Sequence, residues 1–193
     1  MLTLFSFLIA LLFPIMIMYI QGKIHDKKNR RIFLVTVFAA YIVGILYCTL
    51  GGRDSGIRTV NLVPFWSYGL FSDPQYRWQI YMNVFLFMPF GVMLAFVAKR
   101  GSFQSLIIGF LLSVCIEAAQ FIFCLGLCEL DDVIHNSLGT ALGYGQWKMV
   151  SWIEAKYGTR IRTGIRRMCQ AVLSGAKHWW TKINNSYGRG KKK

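Results

Sequence analysis

The chain has 193 residues, 55% of them hydrophobic and 16% charged, with 22 Lys+Arg against 8 Asp+Glu and a formal net charge of +14. Soluble domains carry about 25% charged residues, so a mean hydropathy of +0.44 beside a pI near 9.9 excludes a disordered basic tail protein and argues against a soluble nucleic-acid binder. The length suits one domain or one compact bundle of membrane spans.

In chain order, five charge-poor runs reach the roughly 20 apolar residues that a helix needs to cross a bilayer core. Residues 2–20 and 32–50 carry no charge, and Lys23, Lys27, Lys28, Arg30 and Arg31 are packed between them. The positive charges follow the first run and no small-x-small site precedes Gly22, so the run reads as a retained span rather than a signal peptide. Residues 80–97 follow a long polar-aromatic loop, 103–123 are interrupted only by Glu117 and Gln120, and 133–152 form a weaker, glycine-containing run closed by Lys148. The expected fold class is all-α: a polytopic integral membrane helix bundle of about five transmembrane helices, plus a basic amphipathic C-terminal helix. The expected organisation is two spans in 1–50, a core of aromatic loop and three spans in 51–152, and a basic tail in 153–193.

Cytoplasmic loops retain Lys and Arg. Nineteen of the 22 cations fall in 21–31, at Lys99 and Arg100, and in 148–193, leaving only Arg53, Arg58 and Arg77 on the opposite face. With Asp26 and Glu154 as its only acids the first face carries +17, and the other carries −3. The expected localisation is a multi-pass cell-membrane protein with its amino terminus outside and its carboxyl tail in the cytoplasm.

Phe65, Trp66, Tyr68, Phe71, Tyr76, Trp78 and Tyr81 crowd the segment that follows Gly51. Amphipathic rings settle at the headgroup level, and the segment reads either as an interfacial belt or as a lid over a site opening to the outer leaflet. In the tail, Ile161, Ile165, Met168, Val172 and Trp179 recur at near-helical spacing, with Arg160, Arg162, Arg166, Arg167 and Lys177 able to occupy the other side. That pattern fits a helix lying on the anionic inner leaflet, and no stacking motif accompanies the charge, so membrane lipid rather than nucleic acid is the expected partner. The five cysteines form no disulfide framework, although Cys124 and Cys128 could bridge. Cys124, Cys128 and His135 lack a fourth zinc ligand, and neither a metal nor a cofactor is expected.

A charge at the centre of a span costs about 2.5–3.5 kcal/mol on insertion scales, so each polar group there needs a partner or a function. Asn83 lies one turn below the outer end of the third span. Glu117 lies about 9 Å from the outer end of the fourth, with Gln120 on the same face. Asp132 opens the fifth, followed by His135 and Asn136 at i+3 and i+4. Three helices thus turn polar groups to one outer-facing layer. Gly139 and Gly143 continue the Asn136 face in a small-x-x-x-small arrangement, and Pro89 removes a backbone donor within the third span. Interhelical hydrogen bonding accounts for the amides, but a carboxyl needs a proton or a cation, so Arg53 is expected to pair with Glu117.

The runs Asn61-Leu62-Val63-Pro64-Phe65 and Asn83-Val84-Phe85-Leu86-Phe87-Met88-Pro89-Phe90-Gly91, then Glu117-x-x-Gln120 and Asp131-Asp132-x-x-x-Asn136-x-x-Gly139-x-x-x-Gly143, together resemble the VanZ-like family over roughly residues 53–145. The resemblance implies a small multi-span bacterial envelope protein, the family being named for a member that raises resistance to the glycopeptide teicoplanin. It also implies a shared polar core of Arg53, Asn61, Pro64, Asn83, Glu117, Gln120, Asp132 and Asn136, with Asp131 beside it. Family members often carry an Arg where this chain has Gly126 and Leu127, and an Asp where it has Glu129. The missing cation counts against any activity that needs two outer Arg groups gripping one anion.

Two readings of function stay open. One is a binding protein whose outer-leaflet polar site holds a lipid-linked cell-wall precursor or an amphiphilic glycopeptide, with Arg53, Arg58 and Arg77 available to phosphate or carboxylate. The other is an intramembrane enzyme acting on a polyprenyl-linked substrate or phospholipid, with Glu117 as candidate catalytic acid or base and Glu129, Asp131 and Asp132 able to hold a divalent cation. A transporter is disfavoured, because Glu117 is shallow and no internal repeat is visible.

Overall fold

The computed structural model describes the backbone of residues 2–51 and 56–189, and the side chains of residues 10, 12–20, 22–51, 56 and 58–159. The chain divides into two compact units, Met1–Val150 and Ser151–Lys193. Five helices dominate: α1 (Leu2–Lys23), α2 (Lys27–Leu50), α3 (Pro74–Phe96), α4 (Ser102–Ile122) and α5 (Leu130–Arg189). Two short strands, β1 (Ile57–Asn61) and β2 (Leu125–Glu129), and a 3-10 turn at Trp66–Leu70 lie in the connections. The helical architecture agrees with the all-α expectation, and the strand pair is an addition to it.

Among the described residues three helices, α2, α3 and α4, are long and apolar enough to cross a membrane. Helix α3 begins well before its apolar run, because Asp73 caps it through the Gln75 N–H at 2.8 Å and Pro74 presets the first turn. Asp26 caps α2 in the same way through Lys28 and Asn29. Helix α4 is inverted relative to a soluble helix. Its buried face, Ser105, Gly109, Ser113, Glu117 and Gln120, is small or polar apart from Ile116, while Phe103, Ile107, Phe110, Leu111 and Val114 are exposed. A helix that turns its polar stripe inward and its large apolar side chains outward is matched to lipid rather than to water.

Helix α3 is the central element of the first unit. Residues 87–94 are buried on every side, as expected of a helix apolar all round. It packs against α1 through Val92 and Met93 with Phe13 and Ile17, and Tyr41 of α2 donates its hydroxyl hydrogen to the Leu86 carbonyl at 2.6 Å. Its approach to α5 is set by glycines: a Cβ at Gly139 would land on the Val84 carbonyl, and one at Gly143 on that of Met88. The small-x-x-x-small pair is therefore a backbone-to-backbone seam.

Strands β1 and β2 pair in parallel, with Asn61 opposite Glu129 and Arg58 opposite Gly126. Parallel pairing demands a crossover, supplied here by α3 and α4, so the chain leaving α2 and the chain leaving α4 emerge at the same end of the bundle. Gly126 adopts a φ of 124°, a backbone conformation that disfavours a side chain, which accounts for glycine at that point of the strand.

In the second unit the helix continues to Arg189, and Lys156 lies over the rings of Trp152 and Tyr157. The expected amphipathic faces at 160–179 fall outside the described side chains.

Candidate functional site

The site forms where the β1–β2 ladder meets the ends of α3, α4 and α5. Four acidic side chains are buried there, Glu117, Glu129, Asp131 and Asp132, each no more than 5% exposed. Two of them, Asp131 and Asp132, open the first turn of α5, where the helix dipole favours negative charge.

Asp131 anchors the aromatic loop. Its Oδ1 accepts the Phe65 N–H, and its Oδ2 accepts the Ser67 N–H at 3.0 Å and the Ser67 hydroxyl at 2.5 Å. The motif at 61–65 builds this grip. The Asn61 side chain accepts the Val63 N–H at 3.0 Å, turning the chain before Pro64, and Phe65 takes a left-handed φ of 60° that faces its N–H toward Asp131. Aromatic contacts then run from Phe65 to Tyr68, Phe71, Tyr81 and Phe85, carrying the loop down onto α3. Tyr68 also approaches the buried His135, with its hydroxyl 3.2 Å from Nε2.

Each remaining polar residue has a partner on another segment. Asp132 Oδ1 accepts the Asn83 side-chain N–H at 2.6 Å, Asn136 donates to the Ser113 hydroxyl at 2.8 Å, and Gln120 donates to the Thr49 carbonyl at 3.0 Å. Glu117 Oε2 accepts the main-chain N–H of Glu129 at 2.9 Å. Arg53, the expected partner of Glu117, lies outside the described residues. The Glu129 carboxyl accepts the Gln79 side-chain N–H at 2.9 Å, and burial first, then the neighbouring Asp132 charge, pushes its pKa up to about 7.

The structure thus gathers Asn83, Glu117, Asp131, Asp132, Asn136 and Gln120 at one end, with Asn61 supporting the loop. Glu129 joins them, as do Gln79, Ser67, Ser113 and Tyr68. The carboxyls face different partners, and among the described residues no group of three or more His, Cys, Asp or Glu side chains could hold a metal ion. Cys124 and Cys128 are unbridged. Arg58 and Arg77 are engaged elsewhere: Arg58 donates to the Ile122 carbonyl and lies over the Phe121 ring, and Arg77 donates to the Phe71 carbonyl and lies over that residue's ring.

Two cavities meet at Glu129. One is a polar crevice of about 190 Å³ lined by Trp66, Gln75, Tyr76, Gln79 and Leu127. The other is a groove of about 320 Å³ on the far side of the ladder, walled by Leu62, Phe110, Val114, Phe121 and Val133, with Glu117 and Cys128 at its edge.

A family profile for VanZ/LLP1 matches residues 32–151, which takes in α2 as well as the motif-bearing stretch. Protein VanZ of Enterococcus faecium is 32% identical over 124 residues, an alignment covering 64% of this chain and 73% of that protein. No solved structure matches. With its apolar helices and its buried polar layer inside the matched region, this chain belongs to the VanZ/LLP1 family and is a VanZ-like membrane protein.

Proposed function

We propose that the protein is a five-span component of the bacterial cell envelope, with its amino terminus outside and its tail on the cytoplasmic leaflet. In this reading its polar end opens to the outer leaflet and holds a lipid-linked cell-wall precursor or a related amphiphile, contributing to low-level teicoplanin resistance. The observation that carries the proposal is the position of Glu129 between a polar crevice and an apolar groove. An amphiphile presents a polar head and a hydrocarbon chain joined at one point, and the carboxyl marks such a junction. With Arg58 and Arg77 engaged by backbone carbonyls and rings, the buried carboxyls are the acceptors offered at this end, and they suit hydroxyl, amide or amine donors on the head.

The aromatic loop serves as a cap over this end, pinned by Asp131. The test is teicoplanin susceptibility of a sensitive host expressing the wild type, Glu129→Gln or Asp131→Asn, with membrane protein levels measured alongside. Lost protection at normal protein levels supports the site. Unaltered protection in both variants refutes it.

A second reading, an intramembrane enzyme, is favoured by one observation: a carboxyl that exchanges its proton near pH 7 is suited to general acid–base work. That makes Glu129, beside the sequence candidate Glu117, the group to follow. Turnover of a labelled polyprenyl-linked lipid or phospholipid with a pH profile abolished by Glu129→Gln would establish it, and no turnover by purified protein would exclude it.

A further inference from the structure

At the opposite end of the bundle, a cavity of about 520 Å³ opens between the start of α2 and the turn joining α3 to α4. Its lining contains four cations, Lys27, Arg30, Arg31 and Lys99, and no acid; the others are Leu34, Val35, Phe96, Val97 and Ala98. We infer that this cavity is a binding site for an anionic phospholipid, with the phosphate among the four cations and the upper acyl chain against the apolar floor.

The order of residues along both walls argues for lipid. On α2 the face bearing Lys27, Arg30 and Arg31 passes at the next turn to Leu34 and Val35, about 6 Å beyond Arg30 and Arg31 along the helix. On the other wall Lys99 gives way, in the same direction, to Ala98, Val97 and Phe96. Both walls therefore change from cationic to apolar over the distance that separates a phosphate from the first acyl carbons. Leu34 is buried against Val92 and Met93, which makes the floor part of the packed core, while Val35 remains exposed to the hydrocarbon. Asp26, which precedes Lys27, turns its carboxyl to the Lys28 and Asn29 N–H groups as the α2 cap and is not part of the cavity lining. Basic pockets of this kind at the ends of membrane helices are suited to phospholipid headgroups.

Lys99 adds an independent sign. It has a φ of 52° and closes the α3 terminus so that the Arg100 N–H reaches the Leu94 carbonyl at 3.0 Å. Glycine adopts that conformation without steric cost, yet the position carries a lysine. A cation held in a strained turn at the mouth of a cavity points to a use for its charge.

The experiment uses the full-length protein in a zwitterionic detergent, titrated by native mass spectrometry with dioleoyl phosphatidylglycerol. Parallel arms use dioleoyl phosphatidylcholine and inorganic phosphate as competitor. The first phosphatidylglycerol is expected to bind more tightly than phosphatidylcholine and to resist millimolar phosphate. Lys99→Gly and Arg31→Gln should each weaken it roughly fivefold. Neither change disturbs the core: Lys99→Gly relaxes the turn and Arg31 is exposed, so a folding failure in one leaves the other to report. A triple Lys191→Gln, Lys192→Gln, Lys193→Gln variant should leave that first lipid in place. The inference is overturned if both single variants retain the lipid as wild type does, if phosphate displaces it or phosphatidylcholine matches it, or if the tail variant alone abolishes it.

Discussion

Replacing Glu129 by Gln removes the titratable group at the junction of the two cavities while keeping an oxygen for the Gln79 N–H. Moving a carboxyl from its ordinary 4.5 to about 7, at 1.36 kcal/mol per pH unit, disfavours the ionised form by about 3 kcal/mol. Water in the adjoining crevice screens part of this, leaving about 2 kcal/mol. The folded protein binds the proton more tightly than the unfolded chain, so its contribution is fully present below pH 4.5 and is lost as pH rises through about 7. Wild type is therefore more stable at pH 5 than at pH 8. The variant, neutral throughout, shows little of that slope and is the more stable of the two at pH 8. For a chain of this size about 2 kcal/mol corresponds to roughly 4–8 °C. Tryptophan-fluorescence melting of both proteins in detergent, at pH 5, 6.5 and 8, measures it. A wild-type midpoint that does not fall with pH, or a variant less stable than wild type at pH 8, refutes the reasoning.

Asp131→Asn faces an amide hydrogen toward the loop donors, costs about 2–3 kcal/mol, and should raise hydrogen exchange at the Phe65 and Ser67 amides; unaltered exchange there would show that the anchor is dispensable. Gly143→Ala drives a methyl onto the Met88 carbonyl and should cost about 1–3 kcal/mol or more in melting experiments. Gly145→Ala, with nothing within 4 Å, is neutral or stabilising by up to about 1 kcal/mol, and equal losses in the two would contradict the helix seam. Asn136→Leu removes one interhelical bond to Ser113 and should cost only about 0.6 kcal/mol, read as a shift of a degree or two; collapse of expression would mean that Asn136 does more than join helices.

What could be read from the sequence was whatever depends on helical spacing. Glu117 with Gln120, Asp132 with Asn136, and the glycine pair fall on shared faces by i+3 and i+4 arithmetic, and the depth of each span then brings them to one level. The partners were out of reach because they come from distant segments. Asp131 bonds Ser67 across 64 residues, and Glu129 bonds Gln79 across 50, with no local signal linking either pair. The strand pairing was hidden for the same reason: two five-residue strands joined by a two-helix crossover leave no hairpin signature. Glu129 therefore read as an outer-loop acid able to join Asp131 and Asp132 at a cation, and its burial, created by that pairing, was not visible.

The ladder also explains why the acidic end is ordered by main chain as much as by side chains. Register sets Glu129 opposite Asn61, and the Glu129 N–H is then spent on Glu117, so one backbone position ties the base of the aromatic loop to the carboxyl of α4. Asp131 takes three donors from the aromatic loop, and Asp132 takes the Asn83 amide. Burial beside Asp132 leaves Glu129 as the carboxyl that relieves the crowding by holding a proton. In the proposed reading an amine or hydroxyl of the ligand donates to the ionised form of this one carboxyl, so binding should strengthen as pH rises through about 7, and pH-independent binding would refute that contact.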